Sequence, residues 1–215
     1  MQKVTNKAPV TVGLVEKKRD AVSSSAVGKD LALTQLFLTQ DRAFGAILGS
    51  FIGDSIGSYL EFEMTREGVS AQAIEQAMSM PGGGCWKLAP GQVTEDSELA
   101  MCLLNALVES KGTLDMNELC KWYGCWANTE PFSIDKDLKQ TLGLCDPSDP
   151  NPSKSFEAAS DEIGMRNTSQ TNLSRVIPLA VWTHKLTKWY EVDYAMRCDL
   201  NFTSTSEQMA EFVLC

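Results

Sequence analysis

At 215 residues the chain suits one domain with room for an appended arm, and its 43% apolar content is enough for a real core. With 19 Lys and Arg against 28 Asp and Glu the net charge is −9, which argues against nucleic acid as a partner and for basic or cation-bridged partners. The 7 cysteines are odd in number and follow no cleavable signal segment, so they read as reduced thiols in an intracellular, cytoplasmic protein. Cys120 and Cys125 have no second pair and the chain has 1 histidine, so structural zinc is not expected.

Residues 1–28 are rich in Lys, Val, Ser and Thr, carry adjacent cations at Lys17, Lys18 and Arg19, and sustain no helical or strand period. They read as an extended arm suited to running along a neighbouring protein. A mitochondrial presequence is the alternative, opposed by Glu16, Asp20 and the lone arginine. Asp30 to Gln40, with Leu31, Leu33, Leu36, Phe37 and Leu38, predicts a short helix that docks or feeds the next element. The arm then spans residues 1–40 and a helical domain residues 41–215.

Between Phe44 and Phe62, glycine recurs every four residues at Gly45, Gly49, Gly53 and Gly57. Such a stripe predicts a buried helix closely approached by another backbone, offsetting the ~1 kcal/mol that each glycine costs a helix. Asp54 in mid-segment and the absence of a second span oppose a membrane-crossing reading. Asp54 therefore needs a partner. Glu61 and Glu63 add carboxylates at the helix end, where solvated loop acids are the plain reading.

Ser70 to Ser79 predicts a short helix capped by Ser70, with Ile74, Ala77 and Met78 inward. Met80 to Val93 is a loop rich in glycine and proline. Gly82-Gly83-Gly84 is a weak phosphate cradle, because Trp86-Lys87 does not supply the Gly-Lys-Ser/Thr of a P-loop. Gly91 to Leu104 is the most informative stretch. Leu99, Cys102, Leu103, Ala106 and Leu107 lie on one helix face, Thr94 is the natural N-cap, and Glu95, Asp96 and Glu98 occupy the first turn, where the dipole favours acids. Thr94, Glu95 and Asp96 are also three consecutive oxygen donors at a loop mouth, as a hard cation such as magnesium requires. The residues by themselves leave capping and metal binding both open.

Further on, Asp115 to Asn128 predicts a helix whose Leu119, Trp122, Tyr123 and Trp126 form a core stripe. Ser133 to Leu144 predicts another, with Ile134, Leu138 and Leu142 on one side; three prolines then forbid regular structure from Cys145 to Pro152. A short helix follows near Phe156 to Ile163. The polar loop Gly164 to Leu173 leads into a helix with Val176, Ile177, Ala180 and Val181, whose apolar face His184 continues; a lone histidine at a helix edge carries little functional weight. Ser204 to Glu207 reads as a capping box before Met209, Phe212 and Val213, and this apolar helix ending at Cys215 suggests missing neighbours. No alternating strand pattern stands out, so the fold class is all-α.

Gly45-Ala-Ile-Leu-Gly-Ser-Phe-Ile-Gly-Asp-Ser-Ile-Gly57, Gly91-Gln-Val-Thr-Glu-Asp-Ser97 and Arg175-Val-Ile-Pro-Leu-Ala180, in this order, resemble the ADP-ribosylglycohydrolase family from about Asp41 onward. The resemblance implies an all-helical fold with two magnesium or manganese ions and removal of ADP-ribose from modified side chains. By position, Thr94, Glu95 and Asp96 match metal ligands, Glu61 matches an acid acting near the scissile ribose, and Asp54 matches the acid of the glycine-rich helix. Asp54, with Asn172 and Arg175 from the remnant loop Gln170-Thr-Asn-Leu-Ser-Arg175, supplies the ligand-binding candidates. Three departures stand out: Glu95 replaces an aspartate, Phe202-Thr203-Ser204 lacks the family's histidine, and no second Asp-x-Asp-Thr cluster follows. The expectation is a degenerate, C-terminally shortened member holding at best a single magnesium ion. It is expected to act as an inactive binding or structural subunit with protein partners and, as a ligand, ADP-ribose. The rivals are a working metal-dependent hydrolase and an ADP-ribose reader without turnover.

Overall fold

The computed structural model describes residues 27–62, 68–163, 171–204 and 206–214; the side chains of residues 27–34, 161–163, 171 and 172 lie outside the description. Of the predicted arm, residues 1–26 lie outside the described residues, as does Glu63, and residues 27–40 are helical. The described elements are α1 (Val27–Leu60), α2 (Ala71–Ala77), α3 (Glu95–Glu109), α4 (Met116–Ala127), α5 (Lys136–Leu142), α6 (Pro152–Ile163), α7 (Thr171–Ser174), α8 (Ile177–Thr183), α9 (Trp189–Leu200) and α10 (Glu207–Leu214). Apart from isolated bridge positions, among them the pair Gly83 and Leu88, regular structure among these residues is helical, as the pattern predicts.

The core forms around α3 and α4. Leu99, Cys102, Leu103, Ala106 and Leu107 are all buried, against Leu119, Tyr123 and Trp126 of α4 and Leu138 and Leu142 of α5. Phe156, Leu179 and Met196 close the cluster. Each such side chain contributes about 1.5–3 kcal/mol on burial. The caps are local: Asp115 accepts from the Asn117 and Glu118 N–H groups at 2.9 and 3.2 Å, and Asp135 accepts from Leu138 N–H at 2.7 Å. At Gly124 an added Cβ would overlap the Cys145 carbonyl, so only glycine lets that loop lie against α4. The third proline of the 145–152 run does not interrupt structure but opens α6, where its missing N–H is no loss.

Several expectations change. The predicted short helix and the glycine-rich helix belong to one element, α1, and the chain divides into two compact units, residues 1–40 and residues 41–215. The glycine helix is not buried: Phe44 and Leu48 are 67% and 56% exposed, and a Cβ added at Gly45, Gly49, Gly53 or Gly57 would meet nothing within 4 Å. None of the helices among the described residues is long and apolar enough to cross a membrane. In α2, Ser70 caps as expected and Ala77 is buried, but Ile74 and Met78 face outward, because so short a helix covers little more than one position. His184 is exposed at the end of α8, its Nδ1 at 2.7 Å from the Val181 carbonyl. The Ser204–Glu207 capping box does not form, since the Glu207 carboxylate is drawn to Arg197 at 3.0 Å; the Ser206 hydroxyl accepts the Met209 N–H instead, at 3.4 Å. No element was anticipated over residues 185–203, where α9 forms with Ala195, Met196, Asp199 and Leu200 inward. Its exposed Trp189, Tyr190 and Tyr194 blur the helical period.

Candidate functional site

The site begins where α1 meets the start of α3. Thr94 has the extended backbone of an N-cap, φ −114° and ψ −166°, yet its side chain makes no capping bond. The cap comes from Asp54. Its Oδ2 accepts the N–H groups of Thr94 and Ser97 at 2.9 and 3.2 Å and the Ser97 hydroxyl at 2.6 Å, while its Oδ1 accepts the Thr94 hydroxyl at 2.6 Å. One α1 carboxylate thus satisfies the first turn of α3 and ties it to a helix 40 residues earlier in the chain. This is the partner that Asp54 requires.

Beside this junction lies a cleft of about 550 Å³, lined by Gly53, Asp54, Gly57 and Glu61 from α1 and its end, by Thr94, Glu95 and Asp96, and by Ser174 of α7. At Gly53 and Gly57 the α1 wall carries no side chain, so here the glycine stripe widens a cavity rather than seating a neighbouring helix. Asp96 Oδ1 accepts the Ser174 hydroxyl at 2.6 Å. The Glu95 N–H donates to the Ser133 hydroxyl at 3.2 Å, but Glu95 Oε2 is buried with no hydrogen-bond partner. Burial, assisted by the neighbouring Asp96 and Glu61 carboxylates, pushes the Glu95 carboxyl up to about 7 despite an opposing Ser133 hydrogen bond.

Glu61 is held from the glycine-rich loop, where Trp86 Nε1 donates to its Oε2 at 2.5 Å. That loop is pinned by paired bonds between Gly83 and Leu88, at 2.7 and 2.9 Å. Gly82, at φ +70°, has the Leu88 carbonyl where a Cβ would stand. These glycines turn the chain so that Trp86 meets Glu61.

Of the sequence candidates, Glu61, Asp54, Thr94, Glu95 and Asp96 line this cleft together. Arg175 does not. It is fully buried, its Nε donating to Asp199 Oδ2 and its Nη2 to the Asp199 carbonyl, both at 3.0 Å, while Tyr123 donates to Asp199 Oδ1 at 2.5 Å. Burial first, and then the Asp199 charge, hold the Tyr123 hydroxyl well above its usual range. Asn172 lies in α7 with its side chain outside the description. Sequence reasoning missed Ser133, Ser174 and Trp86 as neighbours of the acids, and Asp199 as the partner of Arg175; none had a local signal, since each partner is 24 to 78 residues distant.

The donors are all oxygen, and the orphaned Glu95 Oε2 beside Asp96 suits a hard cation. They fit one ion that keeps much of its water, not a closed protein cage, since among the described residues no group of three His, Cys, Asp or Glu side chains converges to hold a metal.

Comparison with known proteins adds a lineage. Residues 37–199 match the family model described as ADP-ribosylglycohydrolase. The chain is 40% identical over 102 residues to the ADP-ribosyl-[dinitrogen reductase] glycohydrolase of Rhodospirillum rubrum, covering 47% of this chain and 34% of that protein. It is 41% identical over 87 residues to the ADP-ribosylarginine hydrolase Tri1 of Pseudomonas putida, covering 39% of this chain and 21% of the relative. A solved ADP-ribosylglycohydrolase-related protein complex contains a chain with a TM-score of 0.58 and 25% identity, covering 82% of this chain and 53% of that one. The chain thus spans from about a fifth to about half of the length of these proteins.

Proposed function

Because the chain belongs to the ADP-ribosylglycohydrolase family, we propose that its cleft receives the ribose end of an ADP-ribosylated side chain and hydrolyses the glycosidic bond. The observation that carries this reading is that Glu61, Glu95 and Asp96 line one cleft, with Glu95 carrying an unsatisfied buried oxygen. Active sites keep such under-satisfied, pKa-shifted carboxylates, whereas a relic core would be expected to satisfy or replace them. Thr94, Glu95 and Asp96 would hold magnesium, which when bound supplies positive charge to orient the ribose hydroxyls. Glu61 acts as the base: water adds at the anomeric carbon, its proton passes to the Glu61 carboxylate, and the departing side-chain atom keeps the bond's electron pair and takes up a proton from solvent, to which Glu61 later returns its own. Trp86 fixes one oxygen of that carboxylate. Asp54 holds the three donors in register by anchoring the turn that carries them.

A second reading, an ADP-ribose-binding or structural subunit without turnover, draws on the open donor set. One experiment separates the two. The purified chain is incubated with an ADP-ribosylated peptide and magnesium, and both binding and free ADP-ribose are measured. Release that is lost on chelation and in Asp96→Ala is the expected result; binding without release favours the second reading, and the absence of both overturns the proposal.

A further inference from the structure

Several serine hydroxyls of this chain bond back to a carbonyl one turn earlier in their own helix, Ser50 to Ile47 at 2.8 Å and Ser160 to Glu157 at 2.9 Å. The Ser174 hydroxyl reaches across the fold. From the last residue of α7 it donates to Asp96 Oδ1, 78 residues earlier in the chain. At 2.6 Å this bond has the length of a hydroxyl paired with an ionised carboxylate. The next residue, Arg175, is fully buried and held twice by Asp199, at 3.0 Å each. The backbone that carries the Ser174 hydroxyl is therefore rooted in a bond network that does not line the cleft. α7 also packs against both α3 and α10.

A carboxylate left to itself at a cleft wall turns about its last torsion, and a cation that keeps much of its water gains little from a ligand that must first be immobilised. Fixing one oxygen fixes the other, because the carboxylate is planar. Outer hydrogen-bond partners of this kind orient metal-binding side chains and raise their affinity. We propose that Ser174 is a positioning residue: rooted by Arg175, it sets Asp96 for a divalent cation in the cleft and so couples cation binding to the seating of α7 on α3. The inference rests on the reading of Thr94, Glu95 and Asp96 as cation donors, and adds to it a residue outside the donor set. Such coupling is reciprocal. A seated α7 favours the bound cation, and a bound cation favours the seated α7.

The test titrates the full chain with manganous ion, a paramagnetic substitute for magnesium. Free ion is read by electron paramagnetic resonance, and α7 by hydrogen exchange of the peptide that covers it. Ser174→Ala should weaken manganous-ion binding about tenfold or more, and Ser174→Thr, which keeps the hydroxyl, should stay within about threefold of the wild type. Ser174→Val, equal to the Thr variant in shape, should follow the Ala variant. Because Ala and Val differ in size, a loss shared by both follows the hydroxyl rather than packing. Saturating manganous ion should slow exchange in α7 of the wild-type chain and leave it unchanged in Ser174→Val. Wild-type affinity in the Ala and Val variants, Thr and Val variants that weaken alike, or slowing of α7 that persists in Ser174→Val would each overturn the positioning role while leaving the cation and hydrolase readings intact. If the wild-type chain takes up no manganous ion, the donor reading falls and the positioning role with it.

Discussion

Two polar clusters of this molecule make opposite use of charge. Around Asp199, the Arg175 guanidinium and the Tyr123 hydroxyl are buried and satisfy one another, sealed between α4, α9 and the start of α8. Around Glu95, carboxylates crowd an open cleft, and one buried oxygen has nothing to accept. The first cluster is finished by the protein itself, while the second leaves one buried acceptor, Glu95 Oε2, without a hydrogen bond. Buried charge is tolerated where it is paired, and under-paired charge persists where binding compensates for it. The contrast explains why an arginine in a family-like motif is part of the scaffold here and the acids of another motif line the cleft.

The largest expected effect breaks the closed cluster. Asp199→Ala leaves Arg175 buried without its counter-charge and should cost about 3–5 kcal/mol, seen as a collapse of the urea midpoint or of soluble yield. The open cluster should respond with the opposite sign. The Glu95 carboxyl titrates near 7 folded and near 4.5 unfolded, so the folded state binds the extra proton between those values. Stability should therefore be highest below about pH 4.5 as far as this group is concerned, and fall as pH rises towards 7. Glu95→Gln should remove that decline and stabilise the chain above pH 7 by up to ~3 kcal/mol, measured as melting temperature against pH. A destabilising Glu95→Gln would show that its carboxylate already has a partner.

Asp54 stands between the two clusters, closed by its own hydrogen bonds yet lining the open cleft. Asp54→Ala should cost about 1–2 kcal/mol in chemical denaturation, the range of a lost helix cap, and should also weaken ADP-ribosylated-peptide binding. Tyr123→Phe, which removes one of the donors to Asp199, should cost about 1 kcal/mol and leave peptide binding unchanged. A Tyr123→Phe that weakened binding would mean the closed cluster is not separate from the cleft.

Much of the fold was legible because it is written in short-range pattern. The spacing of Leu99, Cys102, Leu103, Ala106 and Leu107 marks a face that is buried as read, and Asp115 and Ser70 mark helix starts. The reading failed where a local signal had a non-local answer. Thr94 is an ideal N-cap by type, but Asp54 outcompetes it. The glycine period of α1 reads as helix packing, yet at Gly53 and Gly57 it widens the cleft. α9 escaped notice because its exposed aromatics mask the period that its buried residues carry.

For the candidate site, the adjacency of Thr94, Glu95 and Asp96 at a helix start is a property of the sequence, since three consecutive residues share a turn wherever the helix is placed. That Glu61 faces them, that Trp86 grips Glu61, that Asp54 caps the turn and that Arg175 turns inward to Asp199 are decisions of the tertiary structure. These pairs are separated by 24 to 43 residues, and no periodicity in either segment encodes the other. They form because a buried charge or donor left unpaired costs more than the chain ordering needed to bring its partner to it.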